Sequence, residues 1–193
     1  MSTERTAHIL DAAYRCFARH GVRRTTMEDI AREAGLSRGA VYQYVRNKDD
    51  AYRRVAERLF DEALAASRDA AGAAGSLSER LTAILMAKLE LVLRIARDSP
   101  HAAELFGEQA RLIADLDARY MAAMTDLLAS AVRASRPSST DPADDAELAH
   151  LLLALTRGLE ADLSDPLVPV RRLRHGVALL VAGAAAPLDQ ESP

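Results

Sequence analysis

The feature that most constrains the fold of this chain is the helical spacing of its apolar residues. Alanine and leucine dominate, and apolar side chains recur at the period of an α-helix over most of the sequence. The alternating runs and the Asn-Gly or Asp-Gly turns that mark β-hairpins are missing. We therefore predict an all-α protein of about nine helices.

Composition and charge narrow the class of protein further. At 193 residues the chain is long enough to build its own core as one or two domains. Its net charge of −3 hides an asymmetry, because residues 1–60 carry a net +4 and residues 61–193 a net −7. A basic head on an acidic body indicates that the head meets a polyanion, although a chance imbalance would look the same.

Several classes of protein are excluded by single features. Cys16 is the one cysteine, which excludes a disulfide framework and a multi-cysteine zinc site, and it falls on the core face of the first predicted helix. The charged N-terminus is unlike a signal peptide, and the apolar stretch at residues 177–188 is too short to span a bilayer. We therefore expect a protein of the reducing cytoplasm with no membrane partner.

Capping residues and helix breakers divide the chain into its predicted helices. The first helix covers about residues 4–20 and ends at Gly21 in a left-handed cap. A fourth helix opens at Lys48, and a capping box formed by Ser76 and Glu79 begins the fifth. The remaining predictions are helices at about residues 101–106, 112–131, 142–159 and up to about 186, with the clearest loop at residues 136–141.

The most informative segment is residues 26–48, in which two short helices are joined by a tight turn at Gly35. Thr26 caps the first helix, near capping-box spacing from Asp29, and Ser37 caps the second. The residues predicted to face inward where the helices cross are Ile30, Ala31 and Val41. This arrangement predicts a helix-turn-helix, whose second helix lies in a major groove while the first crosses the DNA backbone.

This segment lies within a longer stretch, about residues 5–60, that resembles the TetR/AcrR-type family of transcriptional regulators. The matching positions are Ile9, Leu10, Ala12, Ala13, Phe17, Gly21, Thr26, Ile30, Ala31, Ala34, Gly35, Leu36, Ser37, Gly39, Tyr42 and Lys48. So many matches at fixed spacing distinguish the segment from a lookalike inside an ordinary helical bundle. The resemblance implies a DNA-binding domain over residues 1–48 and a ligand-binding and dimerisation domain over residues 49–193, with the fourth helix linking them.

The function implied by the resemblance is that of a non-enzymatic, homodimeric repressor. A small-molecule effector would release it from a double-stranded DNA operator that is an inverted repeat. Ligand binding would shift the population between two dimer states, with the fourth helix as the lever. No cofactor is expected.

By resemblance, the residues that contact DNA are Thr26, Arg38, Gly39, Tyr42, Gln43, Tyr44 and Lys48. Thr26, Tyr42 and Lys48 are similar to the family's phosphate contacts. Arg38 is the candidate for reading guanine, because its fork matches O6 and N7, and Gln43 is the candidate for reading adenine or contacting a phosphate. The alternative for Arg38 and Gln43 is that they are merely solvated.

Four more positions of this segment matter to the resemblance. Tyr44 stands where the family often has His or Tyr and is a candidate for contacting a phosphate or a thymine methyl group. Gly39 permits a close approach of the backbone to DNA. Val45 stands where many members have Phe, and Ala51 where many have Leu. Both departures are interpreted as packing positions between the domains, so they concern packing rather than DNA binding.

The last two helices would pair with those of a second copy in a four-helix bundle, as the resemblance implies. The predicted interface residues are Leu148, Leu151, Leu152, Leu155, Leu159, Val177, Leu180 and Val181. They offer more apolar surface than a monomer needs, and Gly158 and Gly176 allow close helix approach. An ordinary internal core is the alternative, because leucine spacing alone does not distinguish the two.

In the family, helices five to seven enclose the ligand pocket. The candidates in this chain are Met86, Glu90, Leu93, Phe106, Gln109, Ile113, Tyr120 and Met124. Methionines suit adaptable apolar cavities, but residues of this kind also make plain core. Glu90 interrupts an apolar run and, if buried, needs a partner such as Arg94, Gln109 or a cationic ligand group. The alternative for Glu90 is exposure on a narrow polar strip.

One further cluster suggests chemistry of another kind. His101, Glu104 and Glu108 share a predicted helical face at spacings that suit a metal ion or a catalytic base. The alternative is an exposed helix start, where acidic residues are favourable, and no second histidine is near. We therefore predict no metal. A small helical enzyme using Glu90, His101 and Glu104, and a ligand-independent architectural DNA binder, are the competing classes.

Overall fold

The computed structural model describes residues 2–101, 110–135, 142–161 and 163–185. Over these residues the chain forms eight α-helices and one 3-10 turn, and the all-α prediction is confirmed. The elements are α1 (Ser2–Arg24), α2 (Met27–Glu33), α3 (Arg38–Tyr42), α4 (Lys48–Ala71), α5 (Leu77–Asp98), the 3-10 turn (Ala110–Leu112), α6 (Ala114–Arg133), α7 (Pro142–Leu159) and α8 (Leu167–Ala185). The short helix predicted at about residues 101–106 lies outside the described residues, apart from His101.

The helices group into two compact units. We call Met1–Glu62 together with Leu93–Tyr120 the head unit, and Ala63–Val92 together with Met121–Pro193 the body unit. Helices α4, α5 and α6 each contribute residues to both units. The functional division predicted from the sequence, at residues 48 and 49, stays a prediction.

The core of the head unit forms around α1. Ile9 and Phe17 of α1 are buried together with Ile30 of α2 and Val41 of α3. The Phe17 ring meets the ring of Tyr52 on α4 edge to face, with the centroids 5.9 Å apart. Such a pair adds to the burial of both rings and fixes α4 against α1. The core therefore holds the two short helices of the predicted helix-turn-helix in place.

Three other positions predicted to pack in this part of the chain are buried, although packing of Val45 and Ala51 between the domains stays a prediction. Cys16 is buried, as predicted. Val45 and Ala51, the two departures from the family pattern, are buried as packing positions.

Gly21 breaks α1 in a different way from the predicted left-handed cap. Its φ of 75° and ψ of 158° leave the helical region, but a left-handed cap needs a ψ near +47°, so that detail of the prediction is wrong. A short helical turn follows to Arg24. The Thr25 amide and hydroxyl both donate to the Gly21 carbonyl, at 3.3 and 2.7 Å, and these bonds close the turn.

The core of the body unit is built from α5, α6 and the hairpin of α7 and α8. Its fully buried side chains include Leu85 of α5, Met124 and Leu128 of α6, Leu152 of α7 and Leu173 of α8. The chain between α4 and α5 ends at the predicted capping box, where the Glu79 carboxylate accepts hydrogen bonds from the Ser76 amide and hydroxyl, both at 2.8 Å. None of the helices in the described ranges is long and apolar enough to cross a bilayer.

Gly176 of α8 permits a close approach of α7 inside the protomer, whereas its predicted role in pairing with a second copy stays a prediction. A Cβ atom at this position would lie 2.6 Å from Cδ2 of Leu155, so the glycine makes room for that side chain. Gly158 behaves differently, because a Cβ there would meet nothing within 4 Å. The close approach predicted at Gly158 concerns a second copy and stays a prediction.

Candidate nucleic-acid interface

Helix α2 begins with a complete capping box. The Asp29 amide donates to the Thr26 hydroxyl oxygen at 3.2 Å, and the Thr26 amide donates to the Asp29 carboxylate at 3.0 Å. The Thr26 hydroxyl also donates its hydrogen to that carboxylate, at 2.7 Å. These bonds hold the pKa of Asp29 below its ordinary value. The single hydroxyl hydrogen of Thr26 is therefore engaged, and a phosphate would have to compete with Asp29 for it.

The turn after α2 has the backbone that the sequence predicted. Gly35 has a φ of 64°, which is a left-handed conformation that favours glycine. The Leu36 amide donates to the Ala31 carbonyl at 3.0 Å, closing the end of α2. The Ser37 hydroxyl then accepts from the Ala40 amide at 3.2 Å and caps α3. Two capped helices joined by a glycine turn are thus confirmed.

Helix α3 has one buried side and one exposed side. Val41 is fully buried, whereas Arg38, Gly39 and Gln43 are exposed and Tyr42 is 40% exposed. The helix ends at Tyr42, and Tyr44 lies beyond it with its amide donating to the Val41 carbonyl at 3.0 Å. The exposed side carries Arg38 and Gln43, whose side chains are of the types that form hydrogen bonds with base edges in the major groove.

Tyr44 and Gly39 occupy different surroundings. Tyr44 is half-buried, and Gly39 is exposed with no atom within 4 Å of the position a Cβ would take. Packing within the protomer therefore does not require a glycine at residue 39.

Arg38 and Tyr42 contact each other across one turn of α3. The Arg38 Nη2 donates to the Tyr42 hydroxyl oxygen at 3.2 Å, and its Cζ lies 5.4 Å from the centre of the Tyr42 ring. The hydrogen bond that Arg38 donates to the Tyr42 oxygen is the main cause of a raised pKa for Arg38. The contact was missed at the sequence level, although the spacing of four residues was its signal.

Lys48 joins the start of α4 to the end of α1. Its Nζ donates to the main-chain carbonyl of Arg23 at 3.0 Å, and its side chain is half-buried. An ammonium group has three donors, so two remain for a phosphate. Asn47 caps α4 through a hydrogen bond from the Asp50 amide to its Oδ1 at 2.8 Å, a cap that the sequence signalled by an Asn before an acidic turn but that we did not predict.

Only part of the positive charge of residues 1–60 is available to DNA, because several of the arginines form ion pairs within the protein. Arg15 and Arg19 of α1 both bind the Glu33 carboxylate, at 2.6 and 3.2 Å, and hold the pKa of Glu33 below its usual range. Arg32 pairs with Asp29 at 3.3 Å. Arg38 makes its polar contact with a neutral tyrosine, so its positive charge is not offset by that partner.

Helix α4 also binds the start of α6 inside the head unit. Arg53 donates through Nη1 to Oδ1 of Asp115 at 2.6 Å and to the Leu112 carbonyl at 2.7 Å, and through Nη2 to Oδ2 of Asp115. Arg119 lies 3.5 Å from Glu57, and the ring of Tyr120 stacks on that of Phe60 with centroids 4.9 Å apart. We call these three pairs the α4–α6 contact row. They lie in increasing order along both helices.

The predicted dimer residues divide into two groups. Leu148, Leu152 and Val177 are buried inside the protomer, so the alternative of an internal core holds for them and their side chains have no surface left for a second copy. Leu151 is 45% exposed, and Leu155, Leu159, Leu180 and Val181 are half-buried. Only the second group offers apolar surface to a partner. Leu179, on the same helix as Val181, is also exposed.

The predicted pocket residues are spread over both units. In the head unit, Leu93, Ile113 and Tyr120 are buried, and in the body unit, Met124 is buried and Met86 is half-buried. Phe106 and Gln109 lie outside the described residues.

Glu90 is exposed, so the interpretation of a buried carboxylate that needs a partner is wrong and the polar-strip alternative holds. The buried charge of α5 is instead Lys88, which is 5% exposed and pairs with Glu160. The signal for Lys88 was its place on the same helical face as Leu81, Ile84 and Leu85.

The cluster of His101, Glu104 and Glu108, considered above for a metal ion or a catalytic base, lies mostly outside the described residues. Glu104 and Glu108 lie outside the described residues, and His101 follows α5 with its amide donating to the Ser99 hydroxyl at 3.0 Å. Within the described ranges, no group of three His, Cys, Asp or Glu residues is placed to hold a metal ion.

A capped helix-turn-helix with an exposed second helix defines the class of DNA-binding regulators. The family model described as bacterial regulatory proteins of the tetR family matches residues 9–55. YfiR of Bacillus subtilis (strain 168), an uncharacterized HTH-type transcriptional regulator, is 44% identical over 61 residues, which make up 32% of this chain and 30% of YfiR. The matched part thus spans less than a third of that relative.

Two further likenesses extend beyond the head. The HTH-type transcriptional repressor Rv1474c of Mycobacterium tuberculosis (strain ATCC 25618 / H37Rv) is 30% identical over 145 residues, covering 72% of this chain and 73% of that protein. The fold is similar to that of SmeT in complex with triclosan, with a TM-score of 0.69, 22% identity and 98% of each chain covered. SmeT is the repressor of the Stenotrophomonas maltophilia multidrug efflux pump SmeDEF. This chain belongs to the TetR family of bacterial transcriptional regulators, which bind DNA and are not enzymes.

Proposed function

We propose that the protein is a homodimeric repressor that a small-molecule ligand releases from an inverted-repeat operator. The observation that carries the DNA-binding part is α3, where Val41 is buried on one side and Arg38, Tyr42 and Gln43 are exposed on the other. Because the operator lies on the chromosome, the protein acts in the bacterial cytoplasm. The division into a DNA-binding domain at residues 1–48 and an effector domain at residues 49–193 belongs to this proposal.

The DNA contacts divide into positioning and reading contacts. Lys48 supplies charge to a phosphate, with two donors left after its bond to Arg23, and the N-terminus of the long helix α4 adds its dipole. Arg38 reads guanine through its planar fork, and Gln43 reads adenine or contacts a phosphate. The exposed Gly39 leaves room for the DNA backbone at the start of α3.

Three more residues complete the proposed DNA contacts. Tyr42 and Tyr44 offer hydroxyl groups to phosphates, with Tyr44 also able to meet a thymine methyl group. Thr26 acts mainly by fixing the start of α2, because its hydroxyl hydrogen is engaged by Asp29.

Dimerisation is proposed because two recognition helices must meet major-groove faces about 34 Å apart on an inverted repeat. The surface proposed for the second copy lies on α7 and α8, where the incompletely buried apolar residues are Leu151, Leu155, Leu159, Leu179, Leu180 and Val181. Gly158 is exposed and has open space around it, which permits a helix of the partner to approach closely.

The effector is proposed to be a small, mainly apolar molecule. Support comes from SmeT, whose similar fold binds triclosan, and from the buried apolar residues Leu93, Ile113 and Tyr120 of the head unit. Met86 and Met124 are candidates from the sequence alone. Methionine and aromatic side chains adapt to ligands of varied shape. Phe106 and Gln109 are proposed lining residues from the sequence alone.

The route from effector to DNA is proposed to use the α4–α6 contact row. Arg53, Glu57 and Phe60 on α4 are held by Asp115, Arg119 and Tyr120 at the start of α6. Helix α4 begins at Lys48, which binds the end of α1. A ligand that favours another position of the first turns of α6 would therefore shift the start of α4. It can do so only through unequal affinity for the two states.

The proposal is tested by thermodynamic linkage with the purified protein. We call the duplex enriched by the protein from random-sequence DNA the selected operator. Compounds that raise the melting temperature are titrated into the complex with the selected operator, and the affinity for both partners is measured. The ligand is expected to weaken operator binding, and the operator to weaken ligand binding by the same factor. Ligand binding that leaves operator affinity unchanged would contradict regulated release.

A further inference from the structure

Arg38 and Tyr42 are the first and last residues of α3, and they form a pair before any DNA is bound. The guanidinium donates through Nη2 to the Tyr42 hydroxyl oxygen at 3.2 Å, and its Cζ lies 5.4 Å from the ring centre. This distance is within the range at which a cation is attracted to an aromatic face. Two contacts with the same tyrosine, one to its hydroxyl and one to its ring, therefore restrict the arginine side chain.

Such restriction matters because Arg38 is exposed. A free arginine samples many rotamers, and it must give up most of them when it forms two hydrogen bonds with one base edge. An arginine that is already aligned against a ring gives up fewer. The ordering cost of the base contact is then partly met within the folded protein, which raises affinity for the matching base only.

The donors and acceptors of the pair remain sufficient for DNA. A guanidinium carries five N–H donors, of which Tyr42 engages one, so a fork of two donors is still available to guanine. The Tyr42 oxygen accepts from Arg38 and keeps its own hydrogen. A hydroxyl that accepts from a cation is polarised and becomes a better donor to a phosphate.

We infer that Tyr42 is a positioning residue that determines specificity at the base read by Arg38. Its ring and hydroxyl hold the guanidinium in the orientation of the base contact, while its own hydrogen is donated to the DNA backbone. This inference rests on the proposed function, because it assigns Tyr42 a role in the same protein–DNA interface. It differs from a plain phosphate contact, which would affect all sequences alike.

The inference is tested by base discrimination with full-length protein. The guanine read by Arg38 is located as the base pair whose preference disappears when Arg38→Ala is used in the operator selection. Dissociation constants are then measured for the selected operator and for a duplex altered at that base pair. Their ratio is the discrimination, expected to be about tenfold or more for the native protein.

Three Tyr42 and Arg38 variants separate positioning from phosphate contact. Tyr42→Leu is expected to reduce the discrimination about threefold to fivefold, and Tyr42→Phe by less, because it keeps the ring. In the Arg38→Ala background, Tyr42→Leu should weaken binding to both duplexes by the same factor. Arg68→Ala removes an exposed arginine of α4 that is not among the proposed DNA contacts, and this control should leave discrimination at the base pair unchanged. All three side chains changed here are on the surface, and circular dichroism checks that each variant is folded.

A second measurement tests the pairing without DNA. Nitrogen relaxation of the Arg38 Nε in the free protein should report a restricted side chain, and Tyr42→Leu should make it mobile. Equal mobility in both proteins, or a Tyr42→Leu effect that is the same on both duplexes while Arg38 is present, would overturn the inference. If the native protein enriches no sequence, the proposed function fails as well, whereas failure of the pair alone leaves operator binding intact.

Discussion

Arg53 of α4 donates hydrogen bonds to the carboxylate of Asp115 on α6 through both terminal nitrogens of its guanidinium. One of these nitrogens also donates to the Leu112 carbonyl of the preceding 3-10 turn at 2.7 Å. The two residues are 62 positions apart in the sequence. The contact fixes the start of α6 to the second turn of α4, at a position five residues after Lys48.

The first prediction concerns the pH dependence of this pair. Asp115 has its pKa lowered from 3.8 to about 2, chiefly by the hydrogen bond from Arg53. A carboxyl with a lowered folded-state pKa stabilises the fold above its unfolded pKa and loses that contribution as the pH falls through the folded pKa. Asp115→Asn is therefore expected to lower the urea midpoint at neutral pH, with the difference from the native protein shrinking between about pH 4 and about pH 2.

The control for this prediction is Asp117→Asn, which removes a charge from an exposed position on the same turn of α6. It should change the midpoint little. A difference between Asp115→Asn and the native protein that stays constant down to the acid end of the titration would contradict the role of the pair.

The second prediction concerns the cap of α2. Thr26→Ala removes the acceptor for the Asp29 amide and the donor to its carboxylate, and it should lower the unfolding free energy by about 1 kcal/mol. Thr26→Ser keeps the hydroxyl and should behave like the native protein in both stability and operator affinity. Equal loss of stability in the two variants, measured by chemical unfolding, would show that the cap is not what Thr26 contributes.

The third prediction separates the two contacts of Lys48. Lys48→Ala loses the bond to the Arg23 carbonyl, which should cost about 1 kcal/mol of stability, and it removes one phosphate charge. Binding should weaken for all sequences alike, and the slope of log affinity against log salt should fall by about 1. Lys48→Arg keeps the charge and should keep the slope. An unchanged slope for Lys48→Ala would argue against a phosphate contact.

The fourth prediction contrasts two neighbouring leucines of α7. Leu151 is exposed and Leu152 is fully buried. Leu151→Glu should leave the protomer folded but shift it to monomer in sedimentation equilibrium, with loss of operator affinity. Leu152→Ala should lower stability by about 2–5 kcal/mol through a core cavity. A Leu151→Glu protein that stays dimeric would move the proposed interface away from this face.

The fifth prediction concerns the buried pair of Lys88 and Glu160. Their side chains are 7% and 16% exposed. Glu160→Gln leaves a buried ammonium without its counter-charge and should lower stability by up to about 3 kcal/mol, whereas Lys88→Met combined with Glu160→Leu should be nearly neutral. Thermal unfolding of the two variants checks this. If the double variant is as unstable as the single one, the loss comes from packing rather than from the unpaired charge.

Much of the head could be predicted because its signals are local. Thr26 and Asp29, Gly35, and Ser37 lie within a few residues of the groups they bind, so spacing alone predicted the capping box, the turn and the second cap. Arg38 and Tyr42 are also a local pair that their spacing could have revealed. The left-handed cap predicted for Gly21 was wrong because a glycine can break a helix in more than one backbone conformation.

The rest depends on contacts between residues far apart in the sequence. Leucine periodicity on α7 gave an apolar face but not which part of it the protomer covers, so Leu148 and Leu152 were assigned to the interface and lie in the core. No sequence spacing joins Arg53 to Asp115 or Lys88 to Glu160. The exposure of Glu90 and the burial of Lys88, two residues apart, depend on which side of α5 meets the other helices.

The central claim is tested most directly by selecting operators from random duplex DNA with the purified protein at two salt concentrations. We predict enrichment of an inverted repeat whose half-sites are one helical turn or more apart, with binding that weakens steeply as salt rises. Salt-sensitive binding that enriches no sequence would contradict a sequence-specific dimeric repressor and favour an architectural DNA-binding protein.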